Sequence, residues 1–250
     1  MEGFVFTPRS YTFYKCIFFG VNVDKIVHTV TNVRILEKLK INPMKTTRIY
    51  SLLLDSSGSM HELREEMFLS INNRIKSIKN NASDTRDHVL IEIVSFNDRS
   101  HAIVPLQDAR TAPLIQLSDY EIEGSTALYD ALGNTVQRNN TLSSGVLSDQ
   151  KVRTTIIVYT DGYENSSRHY SVRDIRRIMD RVNEDPLSDI VMVGCDEHML
   201  HMAEEMNFNP TSVVKTSREN LVSSMDAIDT FVEKLMMNET ITFKEVYKEK

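Results

Sequence analysis

At 250 residues, with 41% hydrophobic and 26% charged content, the chain suits one large α/β domain, alone or with appendages, and buries an ample core. Its formal net charge of −6 argues against a nucleic-acid surface. No apolar run approaches the roughly 20 residues of a membrane span. The two cysteines, Cys16 and Cys195, have neither CxxC spacing nor a zinc framework, which points to a reducing compartment. The N-terminus lacks a basic region followed by a long apolar one, so no signal peptide is read and a cytoplasmic location is expected.

Residues 1–43 differ from the rest. Phe4, Phe6, Phe13, Phe18 and Phe19 crowd the first twenty positions, with Tyr11 and Tyr14 among them. This N-terminal extension reads either as a short hairpin or strand followed by a helix over Asn32–Lys40, stopped before Pro43, or as a segment outside the native protein if Met44 is the start. The main domain is expected over 44–237 and a charged tail over 238–250, with a strand at Thr240–Val246.

Ile49–Leu54 is a continuous apolar run, the mark of a central strand buried on both faces. A helix follows over His61–Lys79, with Leu63, Met67, Phe68, Ile71, Ile75 and Ile78 in one stripe, and Asn80–Asp84 reads as a loop. Val89–Phe96 and His101–Leu106 are strands joined by Asn97–Ser100, a link short enough to demand an antiparallel hairpin. A short helix is expected near Asp108–Leu114. Gly124-Ser125-Thr126 opens a helix over Ala127–Arg138, and polar Asn139–Ser148 reads as a surface loop. Arg153–Tyr159 is a strand, Val172–Asn183 a helix, Asp189–Gly194 a strand, Met199–Met206 a short helix and Ser212–Lys215 a last strand. Arg218–Met237 is a long helix with Leu221, Met225, Ile228, Val232 and Leu235 on one face.

This alternation predicts an α/β fold: a doubly wound, mostly parallel central sheet with one antiparallel edge strand and helices on both faces. Sites in such sheets form at the carboxyl ends of the strands. Asp55, with Ser57 and Ser59, and Asp161 both sit at such ends, and Thr126 precedes a helix N-terminus. Two carboxylates and three hydroxyls are hard oxygen donors suited to Mg²⁺ or Mn²⁺. Two carboxylates at one rim would repel without a cation.

Asp55-Ser56-Ser57-Gly58-Ser59 resembles the DxSxS motif of the von Willebrand factor A domain family. Gly124-Ser125-Thr126-Ala127-Leu128-Tyr129-Asp130 and Val158-Tyr159-Thr160-Asp161-Gly162 resemble that family's second and third segments, in the right order. The resemblance covers about residues 46–236 and implies a Rossmann-like fold with a complete metal-ion-dependent adhesion site. It implies that Ser57, Ser59 and Thr126 bind the metal directly, and that Asp55 and Asp161 act mostly through water. It implies a partner protein whose Asp or Glu carboxylate completes the coordination. Intracellular prokaryotic and phage-like members often work beside AAA+ ATPases, so such an ATPase or its complex is a candidate partner, with no nucleic acid and no membrane.

Other features have plainer readings. Asp130 is expected to orient its loop or to stand exposed, and not to ligate metal. His198 and His201, with Asp196, Glu197, Glu204 and Glu205 nearby, have zinc-like spacing but no third ligand fixed by it, so a solvated helix is favoured. Arg173, Arg176, Arg177 and Arg181 read as a solvated helix face. Glu164–His169 follows Asp161 and is the first place to look for partner contacts.

A metal-dependent phosphoester hydrolase using Asp55 is the rival class. It needs a general acid two residues on, where Ser57 stands. No Gly-x-x-x-x-Gly-Lys-Ser/Thr loop and no Gly-x-Ser-x-Gly elbow is present. No catalysis is expected. A third reading is a scaffold with a vestigial metal site.

Overall fold

A computed structural model describes residues 46–161, 163–195 and 197–216, together with the isolated helical positions Ile228, Thr230 and Lys234. The expectations for 1–43 and 238–250, and most of the last helix, lie outside the described residues.

Six strands form one sheet: β1 (Thr47–Asp55), β2 (His88–Phe96), β3 (Ser100–Asp108), β4 (Val152–Tyr159), β5 (Ser188–Gly194) and β6 (Val213–Lys215), in the order β3-β2-β1-β4-β5-β6. All neighbours pair in parallel except β2 and β3, which form the expected hairpin with Phe96 opposite Ser100. The antiparallel strand is therefore the edge, and it carries Pro105, a residue that an inner strand would not accommodate.

Apolar residues alternate between two cores because successive strand side chains point to opposite faces. Leu52 and Leu54 of β1, with Ile157 and Tyr159 of β4, pack against α1 (Arg64–Asp84) through Met67, Ile71, Ile75 and Ile78, and Ile228 joins this layer. Leu53 and Val158 face the other way. They meet α2 (Leu128–Ser144), α3 (Val172–Glu184) and α4 (Glu197–Glu205) through Leu132, Ile175 and Met202 among others. Each fully buried aliphatic side chain contributes about 1.5–3 kcal/mol. The chain builds β2 and β3 on one side of β1 and β4 to β6 on the other, so the order reverses between β1 and β4. A crevice at the carboxyl ends of those two strands is the natural binding position in such a sheet.

Two helices run further than their polarity predicts. The expected loop Asn80–Asp84 is the last turn of α1, because Ala82 is 1% exposed and continues the buried stripe of Ile71, Ile75 and Ile78. At its other end α1 begins at Arg64, preceded by a 3₁₀ turn over Gly58–Leu63. The expected loop after Arg138 is helical to Ser144. Asn139 is buried and donates to Ser51 Oγ (3.1 Å), and the hydroxyls of Thr141, Ser143 and Ser144 donate back to the carbonyls four residues earlier. The expected helix over Asp108–Leu114 is only a 3₁₀ turn at Ala109–Thr111, since Pro113 cannot donate to a longer one.

Candidate metal centre

Asp55 is the last residue of β1 and is fully buried. Its Oδ1 accepts from the Ser57 main-chain N–H (2.8 Å) and its Oδ2 from Thr160 Oγ1 (2.5 Å) at the end of β4. Its carbonyl accepts from the buried Tyr120 hydroxyl. Burial pushes the Asp55 carboxyl above the usual carboxylate range, against the hydrogen bonds from Ser57 and Thr160, and the nearby Asp161 charge pushes it further. That is the electrostatic condition that a bound cation relieves.

The chain turns sharply after Asp55, and the turn brings the hydroxyls of Ser57 and Ser59 together. Ser57 is buried and Ser59 exposed, with their Oγ atoms 3.1 Å apart, and Ser59 Oγ donates to Asp161 Oδ1 (2.9 Å). Asp55, Ser57, Ser59 and Asp161 are thus brought together. Thr126 is carried to the same rim by main-chain bonds: Gly58 N–H to the Gly124 carbonyl (3.1 Å), Glu123 N–H to that of Ser56 (2.9 Å), and Ala127 N–H to that of Asn97 (2.8 Å). Thr126 itself is buried.

Gly124 makes this second loop possible. Its φ is +74°, a conformation that costs a side-chain-bearing residue about 1–2 kcal/mol. A Cβ there would stand 2.6 Å from Asp98 Oδ2, whose partner oxygen accepts from Ser125 N–H (3.2 Å). Asp98 can swing aside at the expense of that bond. Gly124→Ala is therefore expected to lower stability by about 1–2 kcal/mol, read as a shift in urea midpoint. An unshifted midpoint would mean that the loop relaxes at no cost.

The third loop is bound to the second. Asn165 Oδ1 accepts from Thr126 N–H (2.8 Å), and the Thr126 carbonyl accepts from the N–H groups of Asn165 (3.0 Å) and Ser166 (3.2 Å). Glu164 accepts from Tyr129 N–H (2.9 Å), Ser166 N–H (3.0 Å), Ser167 N–H (2.7 Å) and Ser167 Oγ (2.7 Å). Asp130 accepts from the N–H groups of Arg168, His169 and Tyr170, each at 2.9 Å. Partial burial raises the Asp130 carboxyl, but these three donors outweigh it and hold the group below the usual range. So Asp130 orients the third loop rather than its own, while Glu164 and Ser167 are half-buried and turned toward the start of α2. Tyr163, Asn165, Arg168 and His169 are the exposed members of this segment.

Sequence reasoning passed over Thr160 and Tyr120, both of which hold Asp55. Thr160 had a signal, a buried hydroxyl position adjoining Asp161; Tyr120 lies in a stretch without periodicity and had none.

Among the described residues, no three His, Cys, Asp or Glu side chains cluster as a metal site. His198 instead packs against Tyr163 in a tilted contact, ring centroids 4.5 Å apart, and His201 lies 3.9 Å from Glu205 on an exposed helix face. Arg177 pairs with Asp174 (3.3 Å) and Arg176 donates to the Glu205 carbonyl, as on a solvated face. A cavity of about 80 Å³ lies between α2 and α3 beside Thr154 and Ser188, at the amino ends of β4 and β5 and away from this rim. No helix among the described residues is long and apolar enough to cross a membrane.

The family profile of the von Willebrand factor type A domain matches residues 51–234. No curated protein sequence matches. Among solved structures, the chain is similar to a von Willebrand factor type A protein from Catenulispora acidiphila, with TM-score 0.53 and 16% identity over 76% of this chain and 43% of that one. It is similar to the pilus adhesin SpaC from Lactobacillus rhamnosus GG in an open conformation, with TM-score 0.54 and 15% identity over 79% and 31%. It is also similar to the PilB minor pilin from Streptococcus sanguinis, with TM-score 0.51 and 12% identity over 76% and 62%. The chain spans less than two thirds of each of these proteins, and the likeness is one of fold.

Proposed function

We propose, from the premise that this chain belongs to the von Willebrand factor type A domain family, that it is a protein-binding module which grips an acidic residue of its partner through a divalent cation. Domains of this family are generally metal-dependent adhesion or interaction modules. The cation is Mg²⁺ or Mn²⁺, held directly by Ser57, Ser59 and Thr126 and through water by Asp55 and Asp161.

One observation carries this reading. The Ser57 and Ser59 oxygens stand 3.1 Å apart. Neighbouring oxygens around an octahedral ion with bonds near 2.0–2.1 Å are about 3 Å apart. The donor set fits in its chemistry as well, since every member is an oxygen. Asp55 already accepts at both oxygens from Ser57 and Thr160, which favours a water-mediated role over direct ligation. An ion bound by neutral hydroxyls keeps most of its charge, and its remaining position then attracts an incoming carboxylate strongly.

No bond is broken in this reading. A phosphoester hydrolase of the strand-end aspartate type needs a general acid two residues after Asp55. Ser57 is there instead, and it is 2% exposed. The partner is a protein presenting Asp or Glu, with an AAA+ ATPase complex as a candidate, and the setting is cytoplasmic.

Affinity capture on the full chain, in Mg²⁺ and in chelator, tests the proposal. A partner retained only in Mg²⁺, and lost on Thr126→Ala, is the expected result. Equal capture in both buffers would count against it, and a melting temperature unmoved by Mg²⁺ or Mn²⁺ would favour a scaffold with a vestigial site.

A further inference from the structure

We infer that Glu164, assisted by Asp130, is a positioning residue for the metal centre: it caps helix α2 from the third loop and so makes Thr126 and Asp161 parts of one rigid unit. The inference rests on the metal reading above.

The first N–H groups of any α-helix lack partners within the helix, and a Ser, Thr, Asp or Asn at the cap usually supplies one. At α2 the cap residue is Ala127, which has no side-chain acceptor. The acceptors come from across the rim. Glu164 Oε2 takes Tyr129 N–H (2.9 Å) and Ser167 Oγ takes Asp130 N–H (3.0 Å). The same Ser167 hydroxyl donates to Glu164 Oε2 (2.7 Å). The carboxylate also sits where the helix dipole favours negative charge.

The return contacts complete the unit. Asp130, within the first turn of α2, receives the N–H groups of residues 168–170, and Glu164 Oε1 receives those of Ser166 and Ser167. Thr126, one residue before the cap, is bonded on both sides of its main chain to Asn165 and Ser166. The segment that begins three residues after Asp161 therefore cannot shift without dragging Thr126. Glu164 is not in the proposed ligand set, and both of its oxygens are occupied by the helix end and its own loop. Its effect on the ion is on the spacing of the groups that hold it.

Residues that orient metal ligands typically change affinity by roughly 10–100-fold when removed. The test is a Mn²⁺ titration of the full chain, following the free-ion electron paramagnetic resonance signal, together with amide hydrogen exchange at Tyr129 and Asp130 in chelator. Glu164→Ala is expected to raise the Mn²⁺ Kd by at least 10-fold and to speed exchange at both amides. Glu164→Gln, which keeps one acceptor oxygen, should fall between it and wild type. Glu184→Ala, an exposed acid at the far end of α3, controls for net charge and should bind as wild type. If folded Glu164→Ala binds Mn²⁺ as tightly as wild type, the inference falls and the metal reading stands. If wild type binds no Mn²⁺, both fall. Should Glu164→Ala fail to fold, Glu164→Gln decides: a Kd equal to wild type overturns the inference and a raised one supports it.

Discussion

Asp55→Asn is expected to abolish ion binding while leaving the fold in place. The substitution keeps the shape of the side chain. Its amide oxygen still accepts from Ser57 N–H, and the Thr160 hydroxyl can turn to accept from the new NH₂ group. It removes a carboxylate that is fully buried and that Asp161 repels. Without metal, the variant should therefore melt within a few degrees of wild type or above it. With metal the two should part. Wild type held at an ion concentration 100 times its Kd gains about 2.7 kcal/mol, a rise of roughly 5–10 °C for a domain of this length. The variant should gain nothing. Scanning calorimetry in chelator and in Mg²⁺ or Mn²⁺ measures both, and a variant that keeps the full ion-dependent rise would remove Asp55 from the site.

The second large effect lies beneath the rim. Glu92, in the middle of β2, is 3% exposed and accepts from Ser51 Oγ (2.6 Å) and from Arg138 Nη2 (2.6 Å), while Asn139 donates to the same Ser51 hydroxyl. This polar cluster ties β1 and β2 to α2, the helix that begins just after Thr126. Arg138→Met deletes the cation and leaves the carboxylate behind. Breaking a buried ion pair on one side costs about 3–5 kcal/mol. The guanidinium side is 40% exposed, so water can partly replace it and the expected loss is about 3 kcal/mol. Glu92→Gln removes the buried charge along with half of the pair and should cost clearly less. Urea denaturation with unchanged slope reads both, and equal losses would mean that the charge on Glu92 is not what matters.

The strands and the mostly parallel sheet were legible because apolar runs such as Leu52–Leu54 and Ile156–Tyr159 suit a sheet buried on both faces, whereas the order of the strands within that sheet was not. The antiparallel edge followed from the short Asn97–Ser100 link. The family and the rim position of Asp55 and Asp161 were legible for the same reason, as each carboxylate interrupts such a run. The metal set itself remains a proposal of spacing and donor chemistry. What the sequence did not disclose depends on contacts between distant segments. Ala82 extends α1 only because a sheet lies beneath it. Asn139 is a helix residue only because Ser51 is there to receive it. Glu92 stood alone among Leu90, Ile91, Ile93 and Val94, and a lone acid in an apolar strand asks for a buried partner, but nothing local names Arg138. Glu164–His169 read as the first place to look for partner contacts, and nothing local showed that Glu164 and Ser167 would serve the start of α2.

The reversal of strand order between β1 and β4 has a consequence for how the domain comes together. The hydrogen bonds across it, Thr160 to Asp55 and Ser59 to Asp161, join residues 105 and 102 positions apart in the chain. Closures of that span carry the largest loop entropy and are the slow ones in folding. A cation that needs oxygens from both sides has no binding site on either half alone. On the proposed metal reading its free energy is added only once the two halves have met, which would make it a latch on the finished topology and not a nucleus for it.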